Sequence, residues 1–392
     1  MTVLPVTEWL HRPGLAALVA ALGGSDWTRL VGGAVRDGLL GLPVSDIDLA
    51  TRLTPAQVLE RLSAAGVKAV PTGIAHGTIT ALTAGGPVEV TTLRRDVATD
   101  GRHAQVAFSE DWREDASRRD FTINALYADP ETGRVDDWFD GVNDLKAGRV
   151  AFIGNPQARI AEDHLRILRF FRFHARFGHG EPEPGGLAAC AARANDLMAL
   201  SRERIAAELL KILAVRDPAP TVATMLTHGI LTPVLPEIVD SARLARLVGR
   251  EVELGVPGDP IRRLATLIGP DPDTAASIAR RLRLSRAQAK RLVEAGQPID
   301  ISTQALAYRI GVESTVDRLL IGDGSAGDIA ALTGWSRPVL GIGGGTLIAR
   351  GLPAGPVVAR TLAMIETRWA AAGFPRDAAL DAIVDAALSE AR

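Results

Sequence analysis

The chain has 392 residues, which at roughly 100 to 200 residues per domain predicts two to four domains and excludes a single small module. Hydrophobic residues make up 47% of the chain and charged residues 23%, a balance typical of folded globular proteins, so a wholly disordered chain and a coiled-coil rod are excluded. The net charge of −2 does not by itself indicate a polyanionic partner.

Two features of the composition concern the cellular compartment. Cys190 is the only cysteine and cannot form an internal disulfide, which favours a reducing cytoplasm and a buried, unreactive thiol. No charge-free apolar run approaches the roughly 18 residues that a membrane span needs, and the apolar stretch 15–22 lacks a preceding basic segment. We therefore expect a cytoplasmic protein that is neither exported nor embedded in a membrane.

Short β-branched runs alternate with Gly, Pro and Asp turns from Trp27 to about Val150, and residues 79–92 have the pattern of a β-hairpin. From Asn155-Pro156 onward, where a good N-cap precedes a good first helical residue, nearly every segment has helical periodicity. The predicted fold class is therefore α+β, with an N-terminal domain built on a mixed β-sheet followed by an all-helical remainder.

A glycine pair opens the first helix predicted after residue 27, in Leu30-Val-Gly-Gly-Ala-Val-Arg-Asp. Gly32 and Gly33 leave bare backbone N–H groups at a positive helix end, a setting that suits a triphosphate. Arg36 lies one turn further on, where it can add a charged clamp, and Asp37 is the next residue. A glycine pair is also typical of an ordinary structural turn, so the phosphate interpretation depends on the residues further along the chain.

Two aspartates come after this turn, in Ser45-Asp-Ile-Asp-Leu. Residues i and i+2 of a strand point to the same face, so the carboxylates of Asp46 and Asp48 converge while Ile47 enters the core. Adjacent carboxylates repel each other unless a cation lies between them, and hard oxygen ligands beside phosphates favour Mg²⁺. Glu89, in a strand of otherwise apolar or threonine residues, supplies a third carboxylate, although an isolated glutamate there would more often face solvent. We predict a two-metal site with Asp46 and Asp48 as metal ligands and all three acids as catalytic residues.

The stretch from Arg94 to Gln105 is polar, contains Asp100-Gly101 and comes after the strand of Glu89. It shows neither helical nor strand periodicity, so we expect a mobile loop. An inactive surface loop and a loop that reshapes a nucleotide pocket are both compatible with this pattern.

A single amphipathic helix is predicted from Asp163 through Phe177. One of its faces begins with Asp163 and Arg166 and continues as an aromatic core stripe formed by Phe170, Phe173 and Phe177. A separate basic face, suited to phosphate, carries Arg169, Arg172 and Arg176. The alternative interpretation of Asp163 and Arg166 is a surface ion pair above an ordinary core.

The pair of Asp163 and Arg166 has the donor and acceptor pattern of a template that selects bases. Cytosine and adenine each present an exocyclic amino donor beside a ring-nitrogen acceptor, whereas uracil and guanine present a carbonyl beside a ring N–H. Asp163 can accept from the amino group while Arg166 donates to the ring nitrogen. Uracil or guanine would leave buried groups unpaired at roughly 1 to 3 kcal/mol each, so the pair predicts selection of C and A over U and G.

Six basic residues occur in a stretch that has no carboxylate from Ala275 to Val293. They are Arg280, Arg281, Arg283, Arg286, Lys290 and Arg291. A basic helix face of this kind could bind RNA phosphates. An ordinary solvated surface helix explains the same pattern equally well.

Taken together, these motifs resemble those of the class II CCA-adding enzymes (tRNA nucleotidyltransferases) and their relatives, the bacterial poly(A) polymerases. The matching stretches are Val31-Gly-Gly-Ala-Val-Arg-Asp, Asp46-Ile-Asp, Arg118-Arg-Asp-Phe-Thr-Ile-Asn-Ala, Asp140-Gly-Val-Asn-Asp-Leu, Glu162-Asp-His-Leu-Arg-Ile-Leu-Arg and Ser201-Arg-Glu-Arg-Ile-Ala-Ala-Glu. The resemblance is strong from Leu30 to about Leu210 and looser afterwards. Where the family usually has Gly-Arg-Arg-Pro, this chain has Gly101-Arg-His-Ala.

The resemblance implies a head, neck, body and tail, which we place at residues 1–153, 154–215, 216–298 and 299–392, with tRNA binding in the tail. It implies metal binding by Asp46 and Asp48, and it associates the loop after Arg94 with the switch from C to A addition. The nucleotide-binding residues expected from the motifs and the resemblance together are Gly32, Gly33, Arg36, Asp37, Arg119, Asp163, Arg166, Arg169 and Arg172.

The function that we expect is the addition of C, C and A to the 3′ end of tRNA from CTP and ATP, with Mg²⁺ as cofactor, release of pyrophosphate and no evident protein partner. Two alternatives stay open. A poly(A) polymerase of the same fold is disfavoured because the chain lacks a strongly basic extension, and a catalytically inactive RNA-binding protein would not require the three carboxylates.

Overall fold

The computed structural model describes residues 2–5, 8–100 and 103–391, with side chains described for all of these except 96–100 and 103–106. The chain divides into two compact units, Met1–Ile212 with Thr224–Pro236, and Leu213–Ala223 with Glu237–Arg392. The boundaries after residues 153, 215 and 298 remain predictions. Within the described ranges, no helix is both long enough and apolar enough to cross a bilayer.

A seven-stranded mixed sheet forms the core of the first unit, which confirms the mixed sheet expected from the sequence. The strands of the chain are β1 (Thr28–Val31), β2 (Asp48–Thr51), β3 (Lys68–Gly73), β4 (Thr78–Thr83), β5 (Gly86–Thr92), β6 (Arg94–Asp100), β7 (His103–Phe108), β8 (Tyr127–Ala128) and β9 (Val135–Asp136). In the large sheet the order is β3-β4-β5-β2-β1-β8-β9. β2 and β5 pair in parallel, and β4 and β5 form the predicted antiparallel hairpin.

β6 and β7 form a separate two-stranded antiparallel ribbon, where the sequence suggested a loop. The backbone register runs from Arg94 opposite Phe108 to Asp100 opposite His103, with one irregularity between Asp96 and Ala98. The loop prediction is therefore wrong for the described part of this stretch, while Gly101 and Arg102 lie outside the described residues. A ribbon outside the main sheet does not need the alternation of apolar and polar residues by which a strand is recognised in a sequence.

Helices make up most of the rest of the described chain. They are α1 (Leu15–Ala21), α2 (Gly33–Leu39), α3 (Pro55–Ala64), α4 (Trp112–Ser117), α5 (Gly141–Ala147), α6 (Pro156–Glu162), α7 (Arg166–Phe177), α8 (Pro184–Ala192), α9 (Arg202–Leu213), α10 (Ala219–Thr227), α11 (Ala242–Glu253), α12 (Pro260–Ile268), α13 (Pro272–Arg281), α14 (Arg286–Ala295), α15 (Thr303–Ile310), α16 (Val312–Ile321), α17 (Ala326–Ala330), α18 (Gly344–Ala349), α19 (Pro356–Ala371) and α20 (Asp377–Ala391). Short 3-10 helices lie at Glu8–His11, Gly24–Asp26, Ile74–His76, Thr122–Asn124 and Ala194–Ala199.

The start of the helical region confirms the predicted cap. The side chain of Asn155 accepts a hydrogen bond from the Ala158 N–H at 3.0 Å, and Pro156 is the first residue of α6. From Asn155 to residue 391 the structure contains no strand. Cys190 in α8 is buried, and burial raises the pKa of its thiol, as expected of an unreactive cysteine.

α6 and α7 are separate helices, whereas the sequence predicted one helix over residues 163–177. α6 ends at Glu162, Asp163 is extended with φ −151° and ψ 108°, and α7 begins at Arg166. The break is stabilised locally, because the carboxylate of Asp163 accepts the Leu165 N–H at 3.1 Å and its carbonyl accepts the Arg166 N–H at 3.0 Å. No Gly or Pro marks this position, so helical periodicity alone conceals it.

The aromatic stripe of α7 is buried, as predicted. Phe170 stacks on Phe152 with ring centroids 5.5 Å apart, and Phe173 lies 5.3 Å from Phe121. Aromatic pairs of this kind contribute about 0.5 to 1.5 kcal/mol beyond their buried area. The stripe fixes the orientation of α7, so its arginines project from defined positions.

Candidate active site

The glycine pair lies at the junction of β1 and α2. Gly32 has φ 66° and ψ −122°, and a Cβ at this position would be 3.3 Å from Nη1 of Arg119. Glycine therefore permits both the turn and the close approach of that guanidinium. The N–H of Gly32 donates to the Leu126 carbonyl at 3.0 Å, so Gly33, the first residue of α2, marks where the unpaired N–H groups of the helix begin.

Arg36 is held in a buried position beside this turn. It donates to the Asn124 side chain at 2.5 Å and to Asp37 at 2.8 Å, and its guanidinium lies 4.2 Å from the centre of the Phe177 ring. Burial lowers the pKa of Arg36. Asp37 also accepts from Arg176 at 3.1 Å, so its carboxylate is already occupied by two arginines.

The three predicted acids lie on, or just before, two adjacent central strands of the large sheet, β2 and β5. Asp48 is the first residue of β2 and pairs in register with Glu89 of β5, while Asp46 precedes it by two residues. Burial raises the pKa of Asp48, the charges of Glu89 and Asp46 raise it further, and Arg119 opposes them. A cation between the acids would relieve this repulsion, and carboxylate oxygens are the ligands that hard divalent ions prefer, so the donor set fits such an ion. Within the described residues, no three His, Cys, Asp or Glu side chains are grouped closely enough to count as a ready-made metal site.

Arg119, in the segment after α4, lines a cavity of the first unit together with Gly32 and Asp48. Its Nε donates to the Tyr127 hydroxyl at 3.1 Å, and its Nη2 lies 3.4 Å from Oδ2 of Asp115. Burial acts to lower the pKa of Arg119, but these hydroxyl and carboxylate partners outweigh burial and raise it. The guanidinium is therefore a permanent positive charge next to Gly32 and Asp48.

Asp163 and Arg166 line the same cavity but do not pair with each other. Arg204 of α9 donates to both carboxylate oxygens of Asp163, at 3.1 and 2.8 Å. Arg166 pairs with Glu162 and donates to the carbonyl of Arg118 at 3.2 Å. The alternative interpretation of a surface ion pair between Asp163 and Arg166 is therefore not what the structure contains.

The basic face of α7 is not an unpaired phosphate surface. Each of its arginines pairs with a carboxylate from another element: Arg169 with Asp120 at 2.5 Å, Arg172 with Glu208 at 3.1 Å and Arg176 with Asp37 at 3.1 Å. The partners lie far from α7 in the sequence, so helical periodicity could not reveal them. Nucleotide binding by Arg169 and Arg172 stays a prediction.

One cavity of about 420 Å³ in the first unit gathers most of the predicted site. It is lined by Gly32, Gly33, Arg36, Asp48, Arg118, Arg119, Asp120, Asn124, Asp163, Arg166, Arg169 and Phe173. Four predicted residues are not among its lining residues, namely Asp37, Asp46, Glu89 and Arg172. Four lining residues were not predicted, namely Arg118, Asp120, Asn124 and Phe173. Three of these stand in the matching motif Arg118-Arg-Asp-Phe-Thr-Ile-Asn, which could have identified them.

The basic stretch in the second unit forms a helix pair rather than one helix face. α13 ends at Arg281 and α14 begins at Arg286, with Arg283 at φ 53° in the turn between them. One groove of about 610 Å³ includes Arg280, Arg283, Arg286 and Lys290 in its lining. Arg281 instead pairs with Glu237 at 2.6 Å, and Arg291 with Asp317 at 2.5 Å.

Two protein families match the chain. Residues 28–151 match the "Poly A polymerase head domain", and residues 181–241 match the "Probable RNA and SrmB- binding site of polymerase A". The first match takes in the large sheet and most of the residues that line the cavity. Together, fold, cavity and family define a nucleotidyltransferase, a family that indicates a requirement for a divalent metal ion.

The chain belongs to the class II CCA-adding enzymes. It is 34% identical over 365 residues to mouse "CCA tRNA nucleotidyltransferase 1, mitochondrial", covering 88% of this chain and 83% of that protein. It is 32% identical over 349 residues to the "CCA-adding enzyme" of Limosilactobacillus fermentum, covering 85% and 86%. The match with the human mitochondrial enzyme reaches 48% identity over 188 residues, which is 47% of this chain and 43% of the human protein.

Solved structures of this family share the fold. The Bacillus stearothermophilus CCA-adding enzyme in complex with CTP has a TM-score of 0.77 at 24% identity, covering 95% of this chain and 97% of that one. The Thermotoga maritima CCA-adding enzyme complexed with tRNA has a TM-score of 0.68 at 20% identity and covers 100% of both chains. This chain and the two solved structures therefore share one arrangement, a domain with a mixed sheet followed by helices.

Proposed function

We propose that this protein adds C, C and A to the 3′ end of tRNA, using CTP and ATP and releasing pyrophosphate. The observation that carries the proposal is that a single cavity brings together the glycine turn, Asp48, Arg119, Asp163 and Arg166. Side chains suited to a triphosphate and to a base line that one space, and Asp48 brings a predicted metal ligand to it.

Asp46 and Asp48 are the residues that would hold Mg²⁺, and Glu89, which pairs in register with Asp48, would assist them. When bound there, the ion would lower the pKa of the attacking 3′-hydroxyl and offset the charge of the leaving phosphates. The guanidinium of Arg119 binds the triphosphate, with the N–H groups that begin at Gly33. The 3′-hydroxyl attacks the α-phosphorus in line, and pyrophosphate leaves.

Asp163 and Arg166 select the base. Asp163 accepts from the exocyclic amino group of C or A, and Arg166 donates to the adjacent ring nitrogen. Arg204 supports this role, because its two hydrogen bonds orient the carboxylate of Asp163 from outside the cavity lining. Uracil and guanine present the opposite pattern and leave both side chains without a partner.

The proposal is tested with tRNA that lacks its 3′ end. The purified protein is incubated with each NTP singly, with CTP and ATP together and with all four NTPs, and the products are sequenced. We expect two C residues from CTP alone and a complete CCA end from CTP with ATP. Long A tracts from ATP alone would instead identify a poly(A) polymerase, and unchanged tRNA in every reaction would identify a protein that binds RNA without catalysis.

Three further assignments belong to the same proposal. The head, neck, body and tail boundaries at 153, 215 and 298 and the tail as a tRNA-binding segment are inferred from the resemblance. A cytoplasmic location is inferred from the single cysteine, while the relatives include mitochondrial enzymes.

A further inference from the structure

Asp115 of α4 is a buried acid to which the proposed mechanism gives no role. The residue is 1% exposed, although it lies only three and four positions before Arg118 and Arg119. Isolated buried carboxylates are costly, so a carboxylate this deeply buried must be compensated by its neighbours.

Five donors converge on the Asp115 carboxylate. Oδ1 accepts from Nε and Nη2 of Arg118 at 2.9 and 2.8 Å and from the backbone N–H of Arg94 at 3.0 Å, whereas Oδ2 accepts from the Tyr127 hydroxyl and lies 3.4 Å from Nη2 of Arg119. A carboxylate offers about four lone-pair sites, so these donors saturate it. Asp115 therefore has no capacity left to bind a nucleotide or a metal ion.

The surroundings keep this carboxylate ionised. Burial raises the pKa of Asp115, but the charges of Arg119 and Arg118 and the hydrogen bonds from Tyr127 and Arg94 outweigh burial and lower it overall. Both arginines depend on that negative charge, because Asp115 is the carboxylate with which each forms an ion pair.

The partners of Asp115 belong to three separate parts of the first unit, namely the segment after α4, the start of β6 and β8, which contains Tyr127. Arg118 and Arg119 line the nucleotide cavity, and the carbonyl of Arg118 accepts from Arg166, the proposed base-selecting arginine. Arg94 is the first residue of β6, where the ribbon leaves the large sheet. A continuous series of hydrogen bonds thus connects the base of the β6–β7 ribbon, through Asp115, to Arg166.

We propose that Asp115 is a positioning residue for nucleotide binding, which holds Arg118 and Arg119 at the cavity wall and fixes them to the base of the ribbon. This inference rests on the proposed function, because it assigns Arg119 to the incoming nucleotide. Loss of the Asp115 charge would remove the ion-pair partner of two guanidinium groups and weaken the acceptor of one backbone N–H at once. The effect would fall on nucleotide binding rather than on tRNA binding.

The test compares Asp115→Asn with Asp144→Asn in the full-length protein. Asp144 is the matched control, since it is also 1% exposed and also pairs with an arginine and a hydroxyl, Arg149 and Thr122, none of which lines the cavity. For Asp115→Asn we expect the KM values for CTP and ATP to rise about tenfold or more, with the KM for tRNA within about twofold of the wild-type value. The control should lose thermal stability but keep both nucleotide KM values.

Hydrogen exchange tests the connection to the ribbon. Backbone N–H exchange at the start of β6 should accelerate in Asp115→Asn, because a neutral amide oxygen holds the Arg94 N–H less strongly than a carboxylate does. Exchange should stay at the wild-type rate in Tyr127→Phe, which leaves the bond between Arg94 and Asp115 in place. Unchanged nucleotide KM values in a folded Asp115→Asn protein, an equal rise in Asp144→Asn, or unchanged exchange at β6 would each overturn this inference. Those results leave the proposed function standing, because that function fails only if the wild-type protein adds no nucleotide or adds long A tracts in place of CCA.

Discussion

Asp48 lies near two other negative charges, those of Glu89 and Asp46, and their repulsion determines how a substitution of Asp48 affects stability. Burial and the charges of Glu89 and Asp46 raise the pKa of Asp48, so its ionised form is disfavoured without a cation. The sequence motif predicted that the acids converge, and the parallel register of β2 with β5 supplies the third acid. The repulsion is a cost in the metal-free protein and an advantage once a divalent ion is bound.

We predict that Asp48→Asn abolishes nucleotide addition, by at least about a hundredfold, while leaving the melting temperature equal or higher. The amide keeps the volume of the carboxylate but removes one of the mutually repelling charges. Activity is measured by product sequencing and stability by thermal unfolding, with Asp46→Asn as a parallel variant. Near wild-type addition by either variant would refute the metal assignment.

Asp163 and Arg166 each contact other charged groups, Arg204 and Glu162, rather than each other. Because each side chain is held by its own partner, each has a fixed position on the cavity wall. Sequence reasoning identified both residues, since the motif and the hydrogen-bonding pattern of the bases point to them. It did not identify Arg204, although that residue stands in the matching Ser201-Arg-Glu-Arg stretch, because its contact with Asp163 spans 41 residues.

We predict that Asp163→Ala and Arg166→Ala raise UTP and GTP misincorporation relative to CTP and ATP by about tenfold, while slowing correct addition. In the wild-type protein, uracil or guanine leaves the Asp163 acceptor and the Arg166 donor unpaired, which disfavours these bases. Truncating either side chain to alanine removes that penalty, so the wrong bases are rejected less strongly. Competition assays with paired NTPs measure the ratio. Arg193→Ala, which removes an arginine paired with Asp196 outside the cavity, serves as the control. A fall in rate with an unchanged ratio would mean that the pair only supports the structure.

At the scale of secondary-structure elements, the sequence predicted those features that depend on residues close together in the chain. It did not predict the features that lack a local sequence pattern. The strands around 79–92 and the Asn155 cap are encoded within a few residues, and the structure confirms both. The break at Asp163 depends on a turn without Gly or Pro, and the ribbon of β6 and β7 depends on cross-strand pairing rather than on a buried face. Neither the break nor the ribbon produces a periodic pattern of apolar residues in the sequence.

We expect the stretch that forms the β6–β7 ribbon to adapt the site to two bases, as the resemblance to the CCA-adding enzymes implies. The cavity must accept a pyrimidine twice and then a purine, whereas the glycine turn, β2 and α7 are fixed by the sheet and by the aromatic stripe. We predict that replacing residues 95–105 with a short Gly-Ser turn leaves addition of two C residues largely intact and abolishes A. Product sequencing measures this. A complete CCA end from the shortened enzyme would contradict the prediction, and an equal loss of C and A would show that the ribbon only supports folding.

In the molecule as a whole, a net charge of −2 conceals an uneven distribution. Within the described residues, many arginines pair with carboxylates, as in the buried network in which Glu251 accepts from Arg262 at 2.7 Å and from Arg263 at 2.8 Å. Such pairs create little field that attracts RNA, because their charges cancel locally. A basic surface must therefore be located from the positions of individual arginines and acids in the structure, because the composition of the chain does not show where they lie.

The groove between α13 and α14 is the candidate for such a surface, and it divides the six basic residues predicted there. Arg280 and Arg286 are exposed and line the groove, whereas Arg281 pairs with Glu237 at 2.6 Å. We predict that Arg280→Ala and Arg286→Ala each raise the KM for tRNA and reduce the slope of log affinity against log salt by about 1, the expected effect of one lost phosphate contact. The KM for CTP should stay constant, because the substitutions lie outside the nucleotide cavity.

Arg281→Ala is the matched control for this surface, since it removes the same charge from the neighbouring position. Its charge is already balanced by Glu237, so the variant should lose thermal stability but keep the salt slope of the wild-type protein. Filter binding of tRNA at a series of salt concentrations measures the slope for all three variants. Equal slopes in Arg280→Ala, Arg286→Ala, Arg281→Ala and wild type would exclude the groove as a tRNA contact, and the basic residues of α13 and α14 would then form an ordinary solvated surface.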